Sequence, residues 1–341
     1  MTLTPFPHGI SSFGSPVMGG SGTLPVMGGR IAATGDAKVY FVDPANGSDG
    51  NLGLSPDKAL NTVSAAYAKT IDKSGDTIYL LNDGNTTGSS VESATITWSN
   101  DNVHLVGLCA PTLLSQRSRI VWQGADVVTP LINVTGNGNL FSNVSIIEET
   151  TENAVASVGV RVSGQRNVFH NVAIMSMVNT NTGDEADSSC LLLSGGSENT
   201  FRGCYIGVDT SARSASNASV ECESAATRNA FYDCFFAMFA DAASPVFLEA
   251  STSSDIDRWL LFERCKFINP DTITACSTIT QAFNVKLGSD LGGVVLVFDC
   301  FFNGMSNIVS ADNTAVRVMG ATSANATAVQ RMMVATAADF N

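Results

Sequence analysis

One short run of residues returns at a near-constant interval through the middle of this chain. Asn139-Leu140-Phe141-Ser142-Asn143-Val144-Ser145-Ile146 is echoed by Asn167-Val168-Phe169-His170-Asn171-Val172-Ala173-Ile174. It returns as Asn199-Thr200-Phe201-Arg202-Gly203-Cys204-Tyr205-Ile206 and again as Asn229-Ala230-Phe231-Tyr232-Asp233-Cys234-Phe235-Phe236. The leading asparagines lie 28, 32 and 30 residues apart. Later copies drop the Asn and keep the rest, in Leu261-Phe262-Glu263-Arg264-Cys265-Lys266-Phe267 and in Val297-Phe298-Asp299-Cys300-Phe301-Phe302. A fixed period of this size marks units that bury their apolar face only against the neighbouring unit.

A second motif precedes each copy: Leu131-Ile132-Asn133-Val134-Thr135-Gly136, Val160-Arg161-Val162-Ser163-Gly164 and Leu191-Leu192-Leu193-Ser194-Gly195. Weaker versions are Ser219-Val220-Glu221-Cys222, Val246-Phe247-Leu248-Glu249 and Val316-Arg317-Val318-Met319-Gly320. Both motifs alternate apolar and polar residues with a period of two, as half-buried strands do, and Gly, Ser and Asn separate them. Strand, tight turn, strand and longer loop, stacked about 4.8 Å apart, describe an all-β parallel β-helix of about seven coils. Like positions then lie above one another. Cys204, Cys234, Cys265 and Cys300 form an inward column continued by Val172 and Val144. Asn139, Asn167, Asn199 and Asn229 form a second column at the turn, where Asn tolerates a left-handed backbone and its amide bonds the next Asn.

Composition narrows the function. The chain has 341 residues, 44% of them hydrophobic, enough to bury a large core. Lys and Arg number 18 against 31 Asp and Glu, and 18 − 31 = −13 argues against binding nucleic-acid phosphates. No apolar run approaches the roughly 18 residues that span a bilayer, and Met1–His8 does not read as a secretory signal. The eight cysteines form no C-x-x-C pair and the three histidines lie far apart, so neither zinc nor any other cofactor is expected. Free thiols used as small core residues, in a chain made in a reducing cytoplasm, fit this pattern.

Before the coils, Val39–Val42 reads as a strand entering a turn-rich loop. Ser55–Ile71 reads as a capping helix, with Ser55 as N-cap, Pro56 as first residue and Leu60, Val63 and Tyr67 as its apolar face. The run from Asp43 through Gly53-Leu54-Ser55-Pro56 to Gly75-Asp76-Thr77-Ile78-Tyr79-Leu80 resembles the opening of right-handed parallel β-helix proteins of the pectate-lyase-like superfamily. Within that superfamily the chain is most similar to bacteriophage virion and tailspike-type members. The resemblance spans about residues 38–320 and implies a right-handed coil stack, while activity in the superfamily ranges from lyases and hydrolases to adhesins and inert parts. Residues 1–37 differ: Pro and Gly forbid a regular helix, yet Phe6, Phe13, Val17, Met18, Val26 and Met27 are too apolar for a solvated linker, and Pro-Val-Met-Gly-Gly occurs at 16–20 and 25–29. This segment reads as an anchoring arm seated on a partner. Residues 321–341 read as a closing segment, strand or short helix.

Chemistry would need converging carboxylates with aromatics beside them. Glu148, Glu149 and Glu152 share one expected loop, Asp184, Glu185 and Asp187 the next, and Asp255 and Asp257 lie near Trp259. Acidic loop tips that keep the surface soluble are the plainer reading. Arg161, Arg166 and Arg202 are nominees for the base of a lyase, without an acidic column opposite. Asp43, Asn46, Asp49 and Asn51 have the oxygen-rich spacing of a calcium loop but read better as an Asx turn. His170 is expected to point outward. Taken with the resemblance, the expectation is a non-enzymatic virion protein made in the host cytoplasm, a homotrimer that decorates the capsid by binding the major capsid protein or another virion protein. The alternative is a tailspike or adhesin that binds or cleaves a host surface glycan. Seven coils make a rod of only about 35 Å, short for a projecting spike.

Overall fold

The computed structural model describes residues 37–81, 88–109, 118–124, 128–151, 155–285, 293–309 and 315–320, together with strand backbone alone at 11–12, 15–16, 322–325 and 328–332. The arm residues Phe6, Phe13, Val17, Met18, Val26 and Met27 lie outside the described residues, as does Glu152. Among the described residues no helix is long and apolar enough to cross a membrane.

Each repeat contributes one strand to each of three sheets. In one coil, Thr200–Arg202 enters the first sheet, Tyr205–Arg213 the second and Ala218–Glu223 the third. Each pairs in parallel with its counterparts one repeat earlier and later. The first sheet runs ten strands from Val39–Val42 to Val316–Met319, the second ten and the third seven. Seven coils therefore carry all three sheets, with partial coils at both ends, and ten strands at about 4.8 Å make a rod of about 43 Å. The run Val316–Met319, grouped by sequence with the third-sheet motif, instead pairs with Gly293–Phe298 in the first sheet. Its alternation alone cannot tell which sheet it joins. The segment after it forms strands at Thr322–Asn325 and Ala328–Met332, the last pair antiparallel.

The vertical register is visible in side chains. Phe141, Phe169, Phe201, Phe231 and Phe262 stack face to face at centroid spacings of 4.7, 4.7, 4.6 and 4.9 Å, all fully buried. Phe236, Phe267 and Phe302 form a second stack at 4.5 and 4.7 Å. Cys204, Cys234, Cys265 and Cys300 are buried free thiols. Each donates to the carbonyl of a phenylalanine one coil below: Phe169, Phe201, Phe231 and Phe262, at 3.3–3.6 Å. Burial pushes the Cys234 thiol well above its ordinary pKa.

The asparagine column is a ladder. Asn167 Oδ1 accepts from Asn139 N, Asn199 Oδ1 from Asn167 N and Asn229 Oδ1 from Asn199 N, at 2.9–3.0 Å. The amide nitrogens of Asn167, Asn199 and Asn229 donate down to the carbonyls of Gly136, Gly164 and Gly196. These asparagines are not the left-handed residues, which corrects the sequence expectation. Positive φ falls one position earlier, at Gly138, Arg166, Glu198 and Arg228, and at the next corner, at Asn143, Asn171, Gly203, Asp233, Arg264 and Asp299. The chain reverses on one residue, which leaves the following Asn extended with its amide turned into the stack.

At the N-terminal end the single helix expected over 55–71 is broken in two. Pro56–Lys58 forms one 3-10 turn, with no side-chain cap from Ser55, and Val63–Tyr67 forms a short α-helix capped by Thr62. Leu60 causes the break. Its N–H donates to Phe41 O (2.9 Å) and its carbonyl accepts from Asp43 N (2.8 Å), so it is held extended along the lowest strand. Leu60, Val63 and Ala66 still bury fully against the first coil, as the apolar pattern requires. Phe41 N–H donates to Gly53 O at 2.7 Å, so the loop also closes the edge of that strand.

Candidate functional site

Among the described residues the nominated carboxylates form no common cluster of three or more. The strand Ser145–Thr150 runs past its motif, so Glu148 is not in a loop and alternation turns it inward. It is fully buried among hydroxyls: Oε1 accepts from Thr150 N (3.0 Å) and Thr150 Oγ1, and Oε2 from Ser157 Oγ and Ser176 Oγ. Burial raises its pKa and these bonds oppose the rise. Glu149 faces the other way, its pKa raised by partial burial and lowered by Arg119. Asp184 ends the helical turn Thr180–Gly183 and accepts from Ser214 Oγ. Glu185 follows it, and Asp187 sits at a left-handed turn. Asp255 is buried and accepts from Thr252 N (2.6 Å) and Thr252 Oγ1 (2.8 Å), closing its own turn. Asp257 pairs with Arg258, while Trp259 is half-buried on the same strand. Glu148, Asp184, Asp255 and Asp257 are thus engaged by their own surroundings.

The nominated bases are also engaged. Arg166 and Arg228 flank Glu198 in an exposed three-coil ladder, at 2.6 and 3.3 Å. Arg202 lies over the Tyr232 ring, 4.9 Å from its centroid. His170 stands on the outward column of the first sheet between Ser142 and Arg202, its proton affinity lowered by burial and by Arg202.

A different set of acids does gather, on the outer face of the third sheet. There Arg161, Leu192, Glu221, Glu249 and Asn284 occupy one register column. Arg161 reaches over Leu192 to Ser194 Oγ (2.8 Å) and Glu223 (3.4 Å). Asn284 Nδ2 donates to Glu249 Oε1 (3.2 Å). Glu221 is pushed up to about 7, first by burial and then by the charges of Glu223, Glu249 and Asp187. Near neutrality it is therefore divided between its protonated and ionised forms. The signal was present in the sequence: Glu221 and Glu249 hold the polar position of the second motif in consecutive repeats, and in a parallel stack consecutive repeats touch. Chemically the group is one-sided. Glu221 and Glu249 stand side by side along one wall, whereas cleavage of a glycosidic bond needs carboxylates on both sides of it.

This column has a pH signature. Glu221 binds a proton in the folded chain that it releases on unfolding, because its folded pKa of about 7 exceeds the ordinary glutamate value of 4.5. Its contribution to stability is full below the ordinary carboxylate range and is lost as pH rises toward about 7. Glu221→Gln is expected to flatten the fall in urea midpoint between pH 5 and pH 8. An unchanged slope would remove Glu221 as its source.

One further buried charge escaped the sequence reading. Arg213 lies wholly inside the stack, with Nε donating to Asn217 Oδ1 (2.7 Å) and a terminal nitrogen to Ser219 Oγ (3.2 Å). Burial pulls its pKa down to about 10, so it remains charged at neutrality.

The oxygen-rich loop near the N-terminus is a staple. Asp43 accepts from Ala45 N, Asn46 N and Asn46 Nδ2, an Asx turn. Asp49 accepts from Asn61 N, Thr62 N and Thr62 Oγ1, and Asn51 Nδ2 donates to Ala59 O. Each ties the loop to a different point. Among the described residues no group of three or more His, Cys, Asp or Glu is arranged to hold a metal ion.

No family model and no curated protein matches the chain. Solved structures do. Pectate lyase Pel9A superposes with a TM-score of 0.55 at 18% identity, covering 84% of this chain and 69% of the lyase. A rhamnogalacturonan lyase gives 0.54 at 14% identity, over 78% and 68%. A pectin methylesterase variant in complex with a hexasaccharide gives 0.55 at 14% identity, over 88% and 94%. At these identities the likeness is one of fold: the chain is a right-handed parallel β-helix, an architecture shared with polysaccharide-acting enzymes.

Proposed function

We propose that this chain is a structural rather than a catalytic β-helix, a stiff bacteriophage virion part that decorates the capsid as a trimer and is held there by its N-terminal arm. The observation that carries this reading is the use made of the side chains. Phenylalanine, cysteine and asparagine recur as continuous ladders through the interior, whereas, of the carboxylates nominated for catalysis, Asp184 and Asp255 are taken up in turns and Glu148 in a buried hydroxyl cluster. Repeated ladders resist separation of the coils along the rod axis, a mechanical property. The virion setting is supported by the resemblance of the chain, within the pectate-lyase-like superfamily, to virion β-helices and by the apolar, Pro- and Gly-rich arm.

A second reading has its own support. Three proteins of like fold are, by name, two polysaccharide lyases and an esterase bound to a hexasaccharide, and the Glu221–Glu249 column places a proton-holding acid beside carboxylates on an open sheet face. The two readings separate in one experiment. Purified protein incubated with host surface polysaccharide is expected to release no new reducing or unsaturated ends. Release that Glu221→Gln abolishes would replace the structural reading with the enzymatic one. Removing residues 2–30 is expected to leave the β-sheet circular-dichroism signal intact and to abolish binding to particles. Retained binding would remove the arm as the anchor.

A further inference from the structure

The lowest coil does not end as a solenoid exposed to water should. A free end carries a polar outer face. Among the described residues, five of the seven large apolar side chains that stand exposed belong to residues 52–108, the first coils. Three of them border the lowest strand, Val39–Val42. Leu52 and Leu54 flank Gly53, whose carbonyl accepts from Phe41 N and which lies against Tyr40. Ile71 borders the other end of that strand, because Asp76 accepts from both Ile71 N (2.9 Å) and Lys38 N (2.7 Å). Tyr40 joins the two sides, with its hydroxyl donating to Lys69 O at 2.8 Å. In the single chain Leu52, Leu54 and Ile71 remain 70, 51 and 55% exposed, an apolar surface open to a second molecule.

We infer that this base is the seat for the N-terminal arm of a second copy of the chain. The arm has the matching chemistry. Residues 1–36 precede the lowest strand, carry only Arg30 and Asp36 as charged side chains, and present Phe6, Phe13, Val17, Met18, Val26 and Met27. An almost uncharged apolar segment gains by covering an apolar surface and would gain little on the acidic flank of the rod. Each arm leaves its own chain at Lys38, beside Ile71, so a base that receives one arm also sends one out. Such a heterologous contact closes into a ring when the rotation allows it, which fits a trimer. This inference rests on the structural reading above and gives the arm a receptor within the assembly.

The test uses two differently tagged full-length chains co-expressed in one cell, both carrying Cys109→Ser and Cys276→Ser to remove the half-buried thiols. One carries Leu54→Cys and the other Val17→Cys. Mild oxidation is expected to yield a disulfide-linked species containing both tags. Two results would overturn the inference: no mixed species, or only Leu54→Cys chains linked to each other, base to base. As a second measure, Leu54→Asp is expected to shift the sedimenting species from oligomer to monomer with an unchanged circular-dichroism spectrum. An unshifted oligomer would contradict the proposed seat. Particle binding is read separately, so loss of the cross-link with retained particle binding sinks this inference alone, and the reverse sinks the anchoring role alone.

Discussion

Phe231→Ala is expected to lower the unfolding free energy by about 3–5 kcal/mol, the range for removing a buried aromatic ring. Phe231 is packed by other rings on three sides. It stacks on Phe201 at 4.6 Å and Phe262 at 4.9 Å and meets Phe236 edge-on at 5.7 Å. Its neighbours cannot close the gap, because each is fixed by its own coil to the sheet spacing. The loss is read from urea unfolding followed by circular dichroism, at a pH where both proteins are folded. Phe235 supplies the contrast: it lies on the outward side of the second sheet, only partly buried against Tyr205, and its truncation is expected to cost far less. Equal losses at Phe231 and Phe235 would mean that the interior stack is not packed as described.

Asn199→Ala is expected to cost about 2–5 kcal/mol, since two or more buried groups lose partners worth roughly 1–3 kcal/mol each. Asn199 Oδ1 accepts from Asn167 N (2.9 Å) and Asn167 Nδ2 (3.1 Å), and its own Nδ2 donates to Gly164 O (3.1 Å). Alanine leaves the Asn167 N–H and the Gly164 carbonyl without partners inside the turn, where water cannot replace them. Asn199→Asp keeps the acceptor but turns an oxygen toward the Gly164 carbonyl and adds a buried charge, so it should be worse at neutral pH than in acid. Asn137 makes a similar inter-coil bridge, to Asp101 and Gln165, but at an exposed position. Its truncation is expected to cost under about 1 kcal/mol, because water fills in. A ladder whose inner and outer members cost the same would not be a buried one.

Much of this architecture could be read from the residues because the repeat aligns them. Once Cys204 is set above Val172, and Cys234 above Cys204, alternation alone turns the column inward, and the pairing register agrees at each step. The asparagine column followed in the same way. Its backbone conformation did not, since a turn of this kind needs one left-handed residue and the composition of the motif does not say whether Asn or its predecessor supplies it. Arg166, Glu198 and Arg228 are poor advertisements for that conformation. The broken cap had a similar cause: the helical spacing of Leu60, Val63 and Tyr67 is real, but main-chain bonds from Leu60 to the lowest strand outweigh one turn of helix.

The acidic side chains were read least well, and the reason is geometric. Neighbours in sequence, such as Glu148 and Glu149, are sent to opposite sides of a strand, while neighbours in space, such as Glu221 and Glu249, lie a whole coil apart. Carboxylates adjacent in sequence are therefore divided between faces, whereas those at one motif position stand together in a column. Arg213 was hidden for another reason: the irregular pairing between Val208 and Ala212 shifts the alternation, so nothing before the fold marks position 213 as internal.

Distances along one outward column test the vertical register most directly. His170, Arg202, Tyr232, Glu263, Phe298 and Met319 occupy successive strands of the first sheet in register. Spin labels paired between position 170 and positions 263, 298 and 319, in chains carrying Cys109→Ser and Cys276→Ser, are expected to separate in equal steps. The steps give about 14, 19 and 24 Å, one 4.8 Å rise for each coil. Separations that fail to lengthen with coil number would mean that the repeats do not stack.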